Sequence, residues 1–512
     1  MSWQPELEKL ELIRELGKRM GGAEGIERQH AQGRLTVRER LDLLLDECSF
    51  QEVGTINGVS RWDDDGNLLS FRPGSMVTGY GSIDGRSVIV RGGDFTIRGG
   101  AADGAVGNRG QTLSNLAGEL RLPLIKLLDA AGGSVRNYDP DNRPGGASSI
   151  VHHKLEDLEA RPVNLGLTGV PGTFDLPKHF DTSNVAQTPR DDFLTRLARG
   201  SLLAQVPVVA AVLGSVAGGP AVEVGDCHFS VMTKNSETFV GGPPMVKQAL
   251  GVTMTKQELG NFNIQAGVAG AVHNVAEDEA DAFRQIRRFL SYLPSSVWEL
   301  PPRVEPEDDP NRRDEDLRSF IPRNRRLTYD VRKLMRTIMD KESTFEISAL
   351  YGRAMVTMLG RIDGFPVGVI ANDCRRDGGA MTVTACIKFE RFVDFCDTFH
   401  LPIVYFCDVP GFMVGLESEK AGIIRFANHA MFAVREATIP YITIVTKRLY
   451  GVAGGSAKSN GMAVRYAWPS AESGSLVAEG GVQAAFRREI ESSPDPDARR
   501  QELEERFIRL AS

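Results

Sequence analysis

The six cysteines, at positions 48, 227, 374, 386, 396 and 407, form no CxxC pair, and the eight histidines form no HExxH. A structural zinc site or a redox dithiol has no spacing to support it, so reduced thiols and no metal in this chain are expected. Three other patterns are missing: a Walker A loop, a GxGxxG followed by an acidic residue, and GxSxG. Their absence removes the P-loop, dinucleotide and serine-hydrolase readings. Positive charge is also short. The 60 basic and 67 acidic side chains leave a formal net charge of −7, so no whole-chain cationic field favours nucleic acid. The start, Met1-Ser2-Trp3-Gln4-Pro5-Glu6, lacks the basic and then apolar run of a secretory leader, and the cytoplasm is the expected compartment. Long apolar runs are confined to one. Gly200 to Val222 carries no charge, but Pro207 interrupts it and Gly218-Gly219-Pro220 breaks it, which fits a buried strand and a sharp turn rather than a membrane span.

What the chain has in excess is glycine, 54 of 512 residues, against a usual share of about 7%. No Gly-X-Y period exists, so the surplus belongs to particular turns, and self-similarity shows where. Gly81-Ser82-Ile83-Asp84-Gly85 recurs 279 residues on as Gly360-Arg361-Ile362-Asp363-Gly364. The same offset relates Asp94 to Asp373, Gly99-Gly100-Ala101 to Gly378-Gly379-Ala380, Leu122-Pro123 to Leu401-Pro402, and Asp129 to Asp408. Five matches at one offset indicate an internal duplication. Val216-Ala217-Gly218-Gly219 recurs as Val452-Ala453-Gly454-Gly455 at an offset of 236. The shorter offset places extra residues in the first half, in the polar stretch of about 139–189, which reads as an insertion.

Each half runs through a strand (Ser87 to Val90; Val367 to Ala371), a helix (Gln111 to Leu120; Ile387 to Phe399) and two further strands (Leu124 to Asp129 and Val206 to Leu213; Ile403 to Asp408 and Tyr441 to Val445). Alternating strands and helices predict an α/β fold with parallel pairing in each half. The predicted organisation is a first domain over 1–294, a linker over 295–326 and a second domain over 327–512. Glycines after buried strands permit positive φ and let backbone amides approach a ligand with no Cβ in the way. Gly132-Gly133-Ser134 and Ala217-Gly218-Gly219 offer one such pair of turns, and Gly411 to Gly415 with Gly451 to Gly455 the other. Convergent amides stabilise an oxygen that acquires enolate charge. A turn-only role remains the plain alternative for any single glycine.

With these residues the chain resembles the carboxyltransferase (β) subunits of biotin-dependent acyl-CoA carboxylases, methylcrotonyl-CoA and propionyl-CoA carboxylase-like, and the related α subunits of biotin-dependent acyl-CoA decarboxylases. The likeness rests on Gly33-Arg34-Leu35-Thr36-Val37-Arg38-Glu39-Arg40, Asp94-Phe95-Thr96 with Gly99-Gly100, Gly242-Pro243-Pro244 and Tyr292-Leu293-Pro294. In the second half it rests on Tyr329-Asp330-Val331-Arg332, Asp408-Val409-Pro410-Gly411-Phe412-Met413-Val414-Gly415, Gly422-Ile423-Ile424-Arg425 and Ala467-Trp468-Pro469. The GFMVG form, with Asp129-Ala130-Ala131-Gly132-Gly133, looks closer to the methylcrotonyl-CoA or glutaconyl-CoA type.

The resemblance implies two crotonase-like (ClpP/crotonase) domains, the first holding an acyl-CoA and the second biotin, in a homo-oligomer of dimers that reaches a hexamer. It implies catalytic backbone amides at Gly133, Gly218 and Gly219 for the thioester oxygen and at Val452 and Ala453 for the biotin ureido oxygen. Substrate-binding positions would be Gly99, Gly100, Gly132, Ser134, Gly415, Gly451, Gly454 and Gly455. No biotinyl-lysine motif of the AMKM kind and no ATP-grasp segment is present. Carboxybiotin is therefore expected on a separate carrier protein, with a biotin carboxylase and biotin carboxyl carrier subunit as partner. Pro220 follows Gly219 where the family usually has an N–H, so Gly218 or Gly219 must supply that donor, and Val452 stands where the family has a small residue. The chain ends at Ser512 where family members usually continue. A decarboxylase subunit and a non-catalytic scaffold subunit are the competing expectations.

Overall fold

The computed structural model describes residues 2–101, 109–133, 164–167, 173–175, 202–458 and 461–511. The chain forms two compact units: Met1–Cys227 with Asn235–Leu259, and His228–Lys234 with Gly260–Ser512. Of the 139–189 insertion, only the antiparallel pair Asn164–Leu167 and Thr173–Asp175 is described.

In the first unit a two-residue edge strand, Gln51–Glu52, lies antiparallel to Met76–Ile83, which forms a hairpin with Arg86–Gly93. Leu124–Ala130 and then Val208–Ala217 continue the sheet in parallel, and Glu237–Phe239 pairs with the end of Val208–Ala217. The second unit repeats this plan. Phe345–Ile347, Met355–Ile362 and Phe365–Asn372 are antiparallel, and Ile403–Val409, Tyr441–Tyr450 and Ala463–Ala467 follow in parallel, with Glu472–Gly474 on Tyr441–Tyr450. In that unit, too, Phe229–Thr233 pairs in parallel with Asn274–Ala276. The expected α/β arrangement is present in both halves.

The uncharged run resolves as expected. The strand Val208–Ala217 starts directly after Pro207 and stops before Gly218, and Val208 to Leu213 are at most 1% exposed. Among the described residues, no helix is long and apolar enough to cross a membrane.

The duplication holds to the residue along the 279 offset: both hairpin strands, the following turn and the first parallel strand coincide. The hairpin tips show why the motif survived. Asp84 and Gly85 have φ of 51° and 77°, and Asp363 and Gly364 of 51° and 74°. Two consecutive positive φ values define a type I′ turn, for which Asp-Gly is a preferred pair.

The repeat also extends upstream at a second offset, 294, which the sequence reading did not find. Helix Val37–Leu44 corresponds to Val331–Ile338. After it, Asp46 accepts the Asp84 and Gly85 amides, both at 2.9 Å, as Asp340 accepts those of Asp363 and Gly364 at 3.1 and 2.8 Å. The Arg38–Glu52 ion pair (2.8 Å) recurs as Arg332–Glu346 (2.7 Å).

The 236 offset is corrected by the structure. The two ten-residue strands Val208–Ala217 and Tyr441–Tyr450 are offset by 233, so Gly218 corresponds to Gly451, not Gly454. Both have positive φ, 67° and 64°, and each donates its amide to the strand beside it, at Val240 O (3.0 Å) and Gly474 O (3.1 Å). The shared VAGG is a coincidence of sequence, because one backbone position, not four letters, needed the glycine.

Candidate active site

The glycine turns of the first unit stand at the C-terminal ends of parallel strands, where α/β sheets place their ligands. Strand Leu124–Ala130 is buried throughout and leads into Ala131-Gly132-Gly133. The Ala131 amide donates to Gly99 O at 2.9 Å. Gly100, at φ 65°, packs so closely that a Cβ there would stand 2.5 Å from Asp129 O. Gly132, at φ 78°, would place a Cβ 2.6 Å from Ala217 O, and Gly218 would place one 3.6 Å from Gly132 Cα and 4.0 Å from Gly133 N. Three sequence-distant turns, at 99–100, 132–133 and 218–219, are thus brought together. Ser134 and most of the insertion lie outside the described residues.

The amides of this cluster are not equivalent. That of Gly218 is committed to Val240 O, and that of Ala221 to Gly218 O at 3.1 Å; Pro220 has none. The Gly99, Gly132, Gly133 and Gly219 amides have no acceptor among the described residues, and of these only Gly133 and Gly219 also have no atom within 4 Å of a Cβ. Two free donors at touching turns suit an oxygen that gains negative charge.

In the second unit Gly411, the counterpart of Gly132, has φ 144° and no atom within 4 Å of a Cβ. Its carbonyl accepts from Met381 N at 3.0 Å, and Met413 N donates to Met381 O at 3.0 Å. Those two bonds leave the Phe412 amide between them without an acceptor among the described residues. Phe412 is the counterpart of Gly133, and sequence reasoning missed it because a backbone donor has no side-chain signature. After Gly451, Val452 is 79% exposed and Ala453 fully buried. The Gly454 amide is taken by Gly451 O at 3.1 Å, and Ser456 Oγ donates to Ala453 O at 2.7 Å. Gly455 is exposed, as is Gly415, which has φ 113° and caps a short helix.

Beneath each cluster lies a fully buried aspartate. Asp129 takes Arg40 Nη1 at 3.0 Å and Gln29 Nε2 at 2.9 Å, and Asp408 takes Arg448 Nε at 2.6 Å. Tyr405 donates to Asn372 Oδ1 at 2.7 Å, and Asn372 Nδ2 to Gly379 O at 3.0 Å, tying strand Ile403–Val409 to the turn at Gly379. Burial keeps the Tyr405 phenol far above its ordinary pKa, so it stays a donor. The Cys386 and Cys407 thiols are pushed up to about 12 by burial. A thiol protonated at neutral pH is a poor nucleophile, so neither of these cysteines is poised to attack a thioester. Among the described residues, no cluster of histidine, cysteine and carboxylate could hold a metal.

A model of the Carboxyl transferase domain matches residues 28–141 and 197–511. The chain is 32% identical over 511 residues to the propionyl-CoA carboxylase carboxyltransferase subunit of Haloferax mediterranei, covering 99% of this chain and 90% of that protein. It is also 32% identical to the methylmalonyl-CoA decarboxylase subunit alpha of Veillonella parvula, over 98% of this chain and 89% of the relative. Its fold superimposes on the transcarboxylase 12S structure, a hexamer solved with methylmalonyl-coenzyme A and methylmalonic acid bound. The TM-score is 0.80 at 30% identity, over 99% of this chain and 89% of the other. With the family model spanning both glycine clusters, the chain belongs to the carboxyltransferase family, the carboxyltransferase subunits of biotin-dependent acyl-CoA carboxylases.

Proposed function

We propose that this chain transfers a carboxyl group from carboxybiotin, borne on a separate carrier protein, to the α carbon, or a vinylogous γ carbon, of an acyl-CoA. The observation that carries the reading is the meeting of the Gly132-Gly133 and Gly218-Gly219 turns, at which the Gly133 and Gly219 amides have no acceptor among the described residues. In this reading those two donors hold the thioester oxygen and strengthen their bonds as enolate charge develops, while Gly218 and Gly132 serve by shape. Gly99 and Gly100 brace the first turn from behind, and Ser134 is carried over as a substrate-binding position from the family resemblance alone.

The second unit is the biotin side. Its exposed turn at Val452, with no side chain crowding Gly411, fits a ureido carbonyl that needs donors rather than charge. Phe412 and Val452 are the donors that match Gly133 and Gly219, with Ala453 in the place of Pro220, and Gly415, Gly451, Gly454 and Gly455 shape the approach. Biotin supplies the carboxyl group and a ureido nitrogen able to take the acyl α proton. The chain's part is to hold both oxygens and to orient them.

Domain limits of 1–294 and 327–512 with a linker between, dimers assembled into a hexamer, a biotin carboxylase and carrier partner, and a cytoplasmic setting complete the reading. The test is ATP-dependent fixation of labelled bicarbonate onto a panel of acyl-CoAs by the chain with its biotin-bearing partner. Labelled product supports carboxyl transfer. Loss of CO2 from malonyl-type thioesters without labelling would favour the decarboxylase, and assembly with neither reaction would favour a scaffold.

A further inference from the structure

The loop that follows the second hairpin strand keeps its backbone turn in both copies but carries different side chains. In the first unit Phe95, Thr96, Arg98 and Gly99 of this loop, with Arg28 and Gln29, line a cavity of about 260 Å3. In the second, the corresponding loop opens a cavity of about 570 Å3 lined by Arg332, Ala349, Arg353, Asp373, Arg375 and Arg376. That volume is within the range of small-molecule sites. At the repeat offsets only one of the four arginines has a counterpart of its own kind, Arg38 for Arg332. Arg353, Arg375 and Arg376 stand where the first unit has Gly74, Thr96 and Ile97. The fold does not require the added charge, because the first copy forms the same strands and turn without it.

We propose that this cavity binds a phosphate-bearing small molecule. The carboxylates nearby are already committed. Glu346 grips Arg332 through both oxygens at 2.7 to 3.0 Å, and Asp373 takes Arg332 Nη1 at 2.6 Å and the Arg375 amide at 3.0 Å. Asp330 pairs with Arg375 at 3.0 Å. These contacts fix two guanidiniums in orientation. Arg353 and Arg376 are exposed and have no side-chain partner among the described residues. Two open guanidinium forks beside two anchored ones suit a group with several anionic oxygens, which a guanidinium binds in bidentate fashion. A phosphate supplies this, whether in the nucleotide of a coenzyme A or as a free phosphate compound.

The test is calorimetric titration of the full chain with pyrophosphate, ADP and coenzyme A, and needs no biotin-bearing partner. Its failure is therefore separate from failure of the carboxyl-transfer reading. Arg353→Gln/Arg376→Gln removes no ion pair, and its melting temperature reports folding; Arg318→Gln, an exposed residue elsewhere, is the control. The expected result is saturable binding that weakens with salt and drops roughly ten- to a hundredfold in the double variant, but not in the control. Dependence on the two arginines for coenzyme A alone assigns the site to the coenzyme's nucleotide; dependence for pyrophosphate and ADP as well assigns it to phosphate compounds at large. No binding of any of the three, or equal binding by the double variant, overturns the proposal.

Discussion

The two halves share a frame and differ in what the frame presents. Both carry the helix, the aspartate that receives a hairpin tip, the Arg–Glu pair and a buried aspartate at the end of the first parallel strand. The source of the guanidinium that neutralises that last aspartate has moved. In the first half it comes from the helix, Arg40, with Ser215 on the neighbouring strand; in the second the helix has Leu334 and the strand has Arg448. The buried negative charge was kept and its partner relocated, so the fold demands the ion pair and not a particular arginine. The ligand turns diverged further. The first half brings two glycine turns into contact, whereas in the second a Cβ on Gly411 would meet nothing, and the Gly411 carbonyl and the Met413 amide bond to Met381 instead.

Breaking the buried pairs should separate the halves most. Arg40 is 1% exposed and Arg448 is 23% exposed, against aspartates at 0%. Arg40→Leu leaves Asp129 with Gln29 alone and should cost about 3–5 kcal/mol, the penalty of an uncompensated buried charge. Arg448→Ser should cost less, since water reaches its site. Hydrogen exchange in the strands Leu124–Ala130 and Ile403–Val409 reads each loss locally, and equal losses would contradict the asymmetry.

Next in size is the effect on catalysis. Gly132→Ala drives a Cβ against the Ala217 carbonyl and separates the two turns, so the rate of carboxyl transfer should fall about 10²-fold, as for one lost oxyanion donor. Gly411→Ala is strained at φ 144° but meets no atom, and should lose less than about tenfold. If both variants lose activity alike, contact between turns is not what the first half contributes.

The contrast also explains what was readable in the sequence. The 279 offset was legible because a type I′ tip and a close-packed turn tolerate few residues besides Asp-Gly and Gly-Gly. The upstream repeat was not: Val37-Arg38, Asp46, Ser49 and Glu52 match Val331-Arg332, Asp340, Ser343 and Glu346 only as scattered letters, since the work is done by one ion pair and by one carboxylate on two amides. VAGG misled because identical letters outweighed strand length, and it took the shared register of Val208–Ala217 and Tyr441–Tyr450 to align Gly218 with Gly451. Both ligand turns of the first half were readable from their glycines. Phe412 was not, since any residue presents an amide, and neither was the arginine cavity, whose members are spread over 45 positions.

A pH dependence should sharpen the comparison. Each half buries a lysine. Lys126 is shifted down by burial but retains Glu223 and Asp226 as opposing influences. Lys388, fully buried and donating to Ser348 O and Tyr351 O at 2.7 and 3.1 Å, is lowered from 10.5 to about 7. Between those two values the unfolded chain holds a proton that the folded chain has released, so stability rises with pH, by at most about 1.4 kcal/mol per unit. Below about pH 7 both forms are protonated, the slope vanishes and the full cost of burying the charge is expressed. Urea unfolding across this range should show the rise for the native chain, and Lys388→Met should flatten it. An unchanged slope in the variant would assign the dependence to other groups.

The smallest separation is expected at the hairpin tips, where the two copies make the same bonds in different surroundings. Asp46 receives its amides at an exposed turn, whereas Asp340 is 7% exposed and its bond from the Gly364 amide is buried. In Asp46→Ala water replaces the carboxylate, so the loss should be about 0.5–1.5 kcal/mol, the net value of such a bond. In Asp340→Ala the Gly364 amide keeps no acceptor and no water, and the desolvation cost raises the loss to about 1–3 kcal/mol. Amide exchange at Gly85 and Gly364 should then accelerate unequally, more at Gly364. Equal acceleration would mean that water reaches the second tip as freely as the first, and that the two copies differ at their ligand turns but not in how tightly the frame beneath them is sealed.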